Sequence, residues 1–524
     1  MDVRVRCTGG RVLGAAGLAA VLVVTAGFAP ADQWDGQRTF YGQYIDWAPC
    51  LTPQELAAAE PAEGDPDWTA RLECGTVTVP VDHGDPRGET IETAVVRHPA
   101  QGTLEQRRGS LVFNFGGPGG AGVERFRSGP LPVSRQIRDS FDLVSFDPRG
   151  VGESAGFTCS EWDAMEEPLA RVRGVEPAQV SEEQLRELDR AAGEFARSCV
   201  DEVGADFLAT MGTVNVVRDL DLIRDALGDP KLSYVGYSYG THIGALYAEM
   251  FAERTRALVL DGAVQLERDV IADGMEQSEG AQTAWEAFVA YCLDGAPECP
   301  FTGAEQAPTE AEALLAGLDA DPIAVEGQRI GRHEMLALLR DSLYLERQWE
   351  GEARLLARIA AGDTGDDFVQ AYLARYVAGQ EEDPGATESA FTAVQCADHV
   401  RPTDPRSYRK GAQRAADLSP FFGGGEVWSF LPCAHWPDTE LVPTGVNALM
   451  APPILVIGTL NDPATPYVWA EELAEQLVTA RLFTYEGGGH TAYAGGRACV
   501  DGAVDAYLLE GELPEAGASC PGEL

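Results

Sequence analysis

Ser238 stands in Gly236-Tyr-Ser-Tyr-Gly240, preceded by the β-prone run 232–235 and followed by a helical run rich in alanine and leucine. Strand, sharp turn and helix in that order form a nucleophile elbow. Its two glycines admit a strained backbone at the serine and a close approach of strand and helix. A serine hydroxyl attacks a carbonyl only when a histidine takes its proton, and the histidine needs a carboxylate to fix its tautomer. Behind an elbow the chain order is serine, acid, histidine. Of the seven histidines, His490 lies in the glycine loop Glu486-Gly-Gly-Gly-His490 after a late strand, where the base belongs. His83 and His98 precede the serine, His333 and His435 fall in a helical region, and His242 is one helical turn past Ser238. His399, in Cys396-Ala-Asp-His399, is the rival. For the acid, Asp462 follows the strand-like run 453–458, and Asp261, at the end of the run 256–261, is the alternative. The chemistry of such a set is acyl transfer through an ester on the serine.

Charge that develops on the attacked carbonyl oxygen needs two N–H donors aimed at it. Tyr239, directly after the nucleophile, supplies one. The run Gly116-Gly-Pro-Gly-Gly-Ala-Gly122 supplies the other from Gly117, with Gly116 as the fallback. No Gly-Lys-Ser/Thr follows this run and a proline interrupts it, which argues against a phosphate cradle. No metal-ligand spacing such as His-x-x-x-His occurs, and no cofactor is expected.

The elements that must position these groups alternate. Strand-like runs at 109–115, 141–146, 232–235, 256–261 and 453–458, with a helix at 213–227, predict a mostly parallel, doubly wound α/β sheet. Period-two runs at 74–81 and 89–97, joined by Asp82-His-Gly-Asp-Pro86, predict an antiparallel hairpin at a sheet edge. From 264 to 440 the pattern is helical, amphipathic and charged, and strands return only at 453. It predicts a helical cap inserted between the sixth and seventh strand positions, splitting the core into 32–263 and 441–524. Asp147-Pro-Arg-Gly150 reads as structural, with Arg149 and Asp147 tying down the loop after the run 141–146.

With 83 acidic and 39 basic residues, the formal net charge of -44 excludes nucleic acid as a partner and disfavours anionic membrane surfaces. Arg4, Arg6 and Arg11, the uncharged stretch 12–31 and its small residues read as a secretory signal over 1–31, cut between 26 and 32. A retained anchor is the competing reading of that stretch. Beyond Cys7, ten cysteines remain, an even number that in an exported chain reads as disulfides, and pairing each with its next neighbour is the simplest arrangement.

Together these residues resemble the exported α/β-hydrolase serine peptidases related to prolyl aminopeptidase, specifically the bacterial tripeptidyl aminopeptidases. The resemblance runs from about Cys74 to Cys520 around a variable cap. It includes Val77-Thr-Val-Pro-Val-Asp-His83, Gly116-Gly-Pro-Gly-Gly120, Phe146-Asp-Pro-Arg-Gly-Val-Gly-Glu-Ser154, Val235-Gly-Tyr-Ser-Tyr-Gly-Thr241, Leu258-Val-Leu-Asp-Gly262 and Gly488-Gly-His490. The tail from Cys499 through Tyr507-Leu-Leu-Glu-Gly-Glu-Leu-Pro514 to Cys520 is its most specific mark. Phe115 stands where the family has a proline and Ala121 where it has a serine, which touches the shape of the glycine loop. The resemblance implies the α/β-hydrolase fold and release of short peptides from free N-termini by attack of Ser238. Such an enzyme must hold the substrate ammonium with a carboxylate in or beside the cap; Glu388 and Asp398 are the candidates. A prolyl aminopeptidase, an esterase on the same triad and a non-catalytic binding protein are the alternatives.

Overall fold

The computed structural model describes residues 37–58, 65–173, 175–379, 384–439 and 445–523. The stretch read as a signal lies outside them. Among the described residues twelve strands form: β1 (Ala48–Pro49), β2 (Glu73–Pro80), β3 (Thr90–His98), β4 (Ser110–Asn114), β5 (Asp142–Phe146), β6 (Leu232–Tyr237), β7 (Thr255–Asp261), β8 (Ile323–Val325), β9 (Gln328–Ile330), β10 (Ile454–Asn461), β11 (Ala480–Gly488) and β12 (Ser519–Pro521). All but β8 and β9 belong to one sheet of order β1-β2-β3-β5-β4-β6-β7-β10-β11-β12. From β5 through β12 every pairing is parallel, whereas β1, β2 and β3 join antiparallel.

Every residue of β4 and β5 is buried, as strands covered on both faces must be. Successive residues point to opposite faces. Val112, Val144, Leu258 and Val456 join one core with Leu220 and Ile223 of the helix Thr213–Ala226 and Ile243 and Leu246 of the helix Tyr239–Met250. Their neighbours Phe113, Leu143, Val259 and Leu455 join the other with Val504 and Leu508 of the helix Ala498–Glu510. This is the doubly wound arrangement expected.

The antiparallel hairpin forms at one edge of the sheet as expected, in full register from Glu73↔Arg97 to Pro80↔Thr90, with β3 continuing onto β5 and the two-residue β1 outside β2. One expectation needs correction. The stretch between β7 and β10 is not wholly helical. Its helices, with a third core around Trp285, Phe288, Met335, Leu338 and Leu356, include the hairpin β8–β9. Glu326 and Gly327 link those strands with φ of 46° and 81°, the left-handed pair a two-residue hairpin turn requires. Three-residue strands in a charged stretch carry too little periodicity to be seen in sequence.

The five disulfides, Cys50–Cys74, Cys159–Cys199, Cys292–Cys299, Cys396–Cys433 and Cys499–Cys520, follow the next-neighbour arrangement. Arg149 and Asp147 tie the loop after β5 as expected. Arg149 donates to both oxygens of Asp219 at 2.7 Å and to the carbonyl of Val81 at 2.6 Å. Asp147 accepts from the amides of Val123 and Glu153, both at 2.9 Å, and so also anchors the short helix that follows the glycine loop.

Candidate active site

Ser238 leaves β6 with φ 54° and ψ -124°, a left-handed conformation that costs a residue with a Cβ about 1–3 kcal/mol. The surroundings impose it. The Ser238 amide donates to the Asp261 carbonyl at 2.9 Å, and its own carbonyl accepts from the Thr241 amide at 2.8 Å and hydroxyl at 2.6 Å. A Cβ at Gly236 would collide with the Gly240 carbonyl; strand and helix could not close the turn around it.

Sheet register brings the partners to the same edge. Tyr237 pairs with Asp261, Asp261 with Ile457, and Asn461 with Gly488. Ser238, Asp261, Asp462 and His490 therefore emerge from the carboxyl ends of four consecutive parallel strands. His490 Nδ1 lies 2.9 Å from each carboxylate oxygen of Asp462. That carboxylate also accepts from the amides of Ala464 and Thr465 at 2.9 and 2.8 Å and from the Thr465 hydroxyl at 3.0 Å. A carboxylate so placed is an acceptor, so Nδ1 carries the proton and the Nε2 lone pair is left to act as a base. Burial alone would push the His490 imidazole down; the charge and hydrogen bond of Asp462 override it and hold its pKa above the ordinary histidine value.

Asp261 makes no hydrogen bond to the histidine, whose Nδ1 is engaged by Asp462. Its oxygens accept from Ala492 N at 2.9 Å and Tyr493 N at 2.7 Å, organising the turn just past His490. Burial pushes its carboxyl up to about 6, against the pull of those amides. The rival His399 has its Nδ1 3.1 Å from the Gln395 carbonyl. His242 is buried with its Nε2 unpartnered among the described residues, and burial pushes its imidazole down to about 3.

In the glycine loop the amide of Gly116 donates to Asn114 Oδ1 at 3.0 Å, which leaves Gly117 as the available donor of the two considered. Tyr239 is the first residue of its helix, so its amide has no intrahelical acceptor. Gly116, at φ 85°, packs against the nucleophile: a Cβ there would stand 2.9 Å from Ser238 Cβ and 2.6 Å from the Tyr237 carbonyl. Gly116→Ala is expected to lower kcat/KM about 100-fold by displacing the elbow, while circular dichroism shows the fold retained. Wild-type rates in this variant would show that the contact is not a positioning one.

Of the two carboxylates considered for the substrate ammonium, Asp398 is buried and accepts from the Thr213 amide at 2.7 Å and hydroxyl at 2.5 Å. The same hydroxyl lies 2.6 Å from the phenol oxygen of Tyr239, so Asp398 ties the end of the helix Pro384–Asp398 to the elbow rather than facing an open cleft. Burial pushes it up to about 6, against the pull of Thr213. Glu388 is half-buried on the helix Pro384–Asp398, whose turn at Thr387 to Phe391 rests on Gly119 of the glycine loop. Two residues of the site were not found in the sequence. Thr465 was legible in principle, since an acid followed three residues on by threonine marks a self-capping turn. Tyr344 was not: its carbonyl accepts from His490 N at 2.9 Å and its ring centroid lies 5.2 Å from the imidazole, across a separation no local pattern encodes. Among the described residues no cluster of His, Cys, Asp or Glu could hold a metal ion, and no helix is long and apolar enough to cross a membrane.

A parallel sheet with a strained serine after its central strand, and an acid–histidine pair on the loops of the next strands but one and two, defines an α/β-hydrolase. Residues 109–319 match the model of the α/β-hydrolase fold and residues 419–520 that of TAP-like proteins. The chain is 35% identical over 497 residues to the serine protease Hip1 of Mycobacterium tuberculosis, covering 91% of each. It is 32% identical over 486 residues to the tripeptidyl aminopeptidase of Streptomyces lividans, covering 89% of this chain and 88% of that one. It is 35% identical over 489 residues to a protein named carboxylesterase B from Mycobacterium tuberculosis, covering 90% and 91%. The chain belongs to the TAP-like α/β-hydrolases and is a serine hydrolase of their peptidase kind.

Proposed function

We propose that this protein is a secreted serine exopeptidase that removes tripeptides from free N-termini, with Ser238 as nucleophile, His490 as general base and acid, and Asp462 as the orienting carboxylate. The observation that carries the reading is the His490 Nδ1–Asp462 contact at 2.9 Å, on loops flanking a serine held at positive φ. His490 Nε2 takes the hydroxyl proton as Ser238 Oγ attacks the scissile carbonyl, and Asp462 stabilises the imidazolium. The amides of Gly117 and Tyr239 receive the oxyanion. His490 then returns the proton to the leaving amine, an acyl-enzyme remains on Ser238, and water enters by the same steps in reverse. The segment 264–440 is the cap, and Glu388, on its helix over the glycine loop, receives the substrate ammonium. Exopeptidase rather than endopeptidase action is supported by the TAP-like match and by the aminopeptidase named among the relatives. Five disulfides support an oxidising, extracellular compartment. The partners are peptides, with neither nucleic acid nor a membrane.

A carboxylesterase among the relatives at similar identity favours a second reading, an esterase on the same three residues. Rates on Ala-Pro-Ala-p-nitroanilide, its N-acetylated form, Pro-p-nitroanilide and p-nitrophenyl acetate separate these. The exopeptidase reading expects the unblocked tripeptide to be cleaved about 10- to 100-fold faster than the acetylated one, since that is what a lost charged hydrogen bond is worth. Turnover of the ester alone would sink it.

A further inference from the structure

A cavity of about 570 Å³ opens beside His490, lined by Phe115, Tyr237 and Tyr493 and by Arg125 and Arg347. No aspartate or glutamate lines it, although the chain carries 83 of them against 39 basic residues. Neither arginine has a carboxylate partner among the described residues, in contrast to several other arginines of the fold. Arg107, Arg149, Arg224 and Arg268 each pair with a carboxylate within 3 Å. Arg125 instead donates only to the neutral Gly129 carbonyl at 3.2 Å and Ser128 hydroxyl at 3.5 Å, and its Cζ lies 5.4 Å from the Phe115 ring centroid. Burial pushes its pKa down with no carboxylate to offset it. Arg347 has no ion pair among the described residues. The adjacent Glu346 is turned away, accepting from Tyr485 Oη at 2.8 Å and Gly488 N at 3.2 Å.

The position of the cavity says which part of a substrate it meets. Its wall includes His490 and Thr491 but neither the glycines of the loop 116–122 nor the helix Tyr239–Met250, so it borders the imidazole and not the oxyanion donors themselves. The group on that side is the amine to which His490 gives its proton. Two guanidiniums with no carboxylate partner among the described residues, one of them over the Phe115 ring, in a cavity with aromatic residues in its wall, fit a planar carboxylate on a short apolar stem.

We propose that this cavity binds a carboxylate on the leaving side of the scissile bond, so that the enzyme prefers substrates whose released portion ends or begins with an acid. The inference rests on the peptidase reading above. Two sources share this chemistry: the α-carboxylate of a short peptide, and an Asp or Glu side chain directly after the cleaved bond. Preference for the first would direct the enzyme to oligopeptides, the products of endopeptidase action, over intact protein N-termini.

The test compares kcat/KM for Ala-Pro-Ala-Ala with a free carboxylate, its C-terminal amide, and Ala-Pro-Ala-Asp-amide, beside Ala-Pro-Ala- and Ala-Pro-Asp-p-nitroanilide. Wild-type enzyme is expected to favour the free acid, the aspartyl amide or both over the alanyl amide by about 10- to 100-fold. In Arg347→Gln and Arg125→Gln that ratio should fall towards unity, with Arg347→Lys retaining part of it. Preference for the free acid assigns the α-carboxylate, and preference for the aspartyl amide assigns the side chain. Equal rates on acid and amides, with the p-nitroanilide cleaved, would overturn the inference while leaving the peptidase standing. So would an Arg347-dependent preference for Ala-Pro-Asp-p-nitroanilide, which would put the carboxylate on the acyl side. If no peptide is turned over, protection of Ser238 from a fluorophosphonate by Ala-Ala but not by its amide still reads the cavity, and equal protection overturns the proposal.

Discussion

His490→Ala is expected to lower kcat on Ala-Pro-Ala-p-nitroanilide by a factor on the order of 10⁵–10⁶, with KM little changed and the fold intact. The size follows from the role. Without the imidazole no group takes the Ser238 proton, and the carboxylate of Asp462, already within 3.0 Å of two amides and a hydroxyl, stands behind the missing ring. The residual rate reports the oxyanion donors and substrate binding alone. The same residue sets the acid limb of the pH profile. His490 must be neutral to accept the proton, and its pKa is held above the usual 6.5 by Asp462 despite burial. Activity in wild-type enzyme should therefore rise with pH through an apparent pKa above 6.5. A stopped-flow or plate assay of kcat/KM between pH 5 and 9 reads it. A limb lying below the ordinary histidine value would contradict the Asp462–His490 arrangement.

Asp462→Asn carries the second large effect, a loss in kcat of about 10⁴-fold. An asparagine amide is nearly isosteric, but it can donate to Nδ1 and so favours the tautomer with the proton on Nε2, where a base is required. The substitution also removes the charge that raises the imidazole pKa, so whatever activity remains should show its acid limb displaced to lower pH. Asp261→Asn discriminates between the two acids. Its side chain serves the amides of Ala492 and Tyr493, and the neutral amide oxygen can still accept one of them. The expected loss is a factor on the order of 10, from a loosened turn beyond His490, with only a small displacement of the acid limb. A larger loss in Asp261→Asn than in Asp462→Asn would reverse the assignment of the orienting acid.

Much of this site was legible because its chemistry sits on local patterns. Gly236 and Gly240 around Ser238 encode a turn, and a glycine loop after a strand marks His490. The order of strands places Asp462 between them. The choice between Asp462 and Asp261 was not legible in the same way. Both follow strands, and only the register of β7, β10 and β11 puts one against the imidazole and the other against the next two amides. The core behaved similarly. Buried parallel strands announce themselves as apolar runs, whereas β8 and β9, three residues each, are fixed by a Glu-Gly turn and by packing. Contacts made by the stretch between β7 and β10 were least accessible. Asp398 looked like a free carboxylate near a cysteine and is instead a buried acceptor for Thr213, and Tyr344 meets His490 through a fold-wide approach. Arg125 and Arg347 carry no motif, and their shared cavity exists only once the chain between them is folded.

The most direct test is covalent. Wild-type protein and Ser238→Ala, each with its five disulfides intact, are treated with a fluorophosphonate, digested and mapped by mass spectrometry, with release of Ala-Pro-Ala from the p-nitroanilide followed in parallel. The expected result is one adduct, on the peptide containing Ser238, with tripeptide release abolished by the label and absent from the variant. An adduct elsewhere, or tripeptide release that survives in Ser238→Ala, would contradict the assignment of the nucleophile and with it the mechanism built on the elbow.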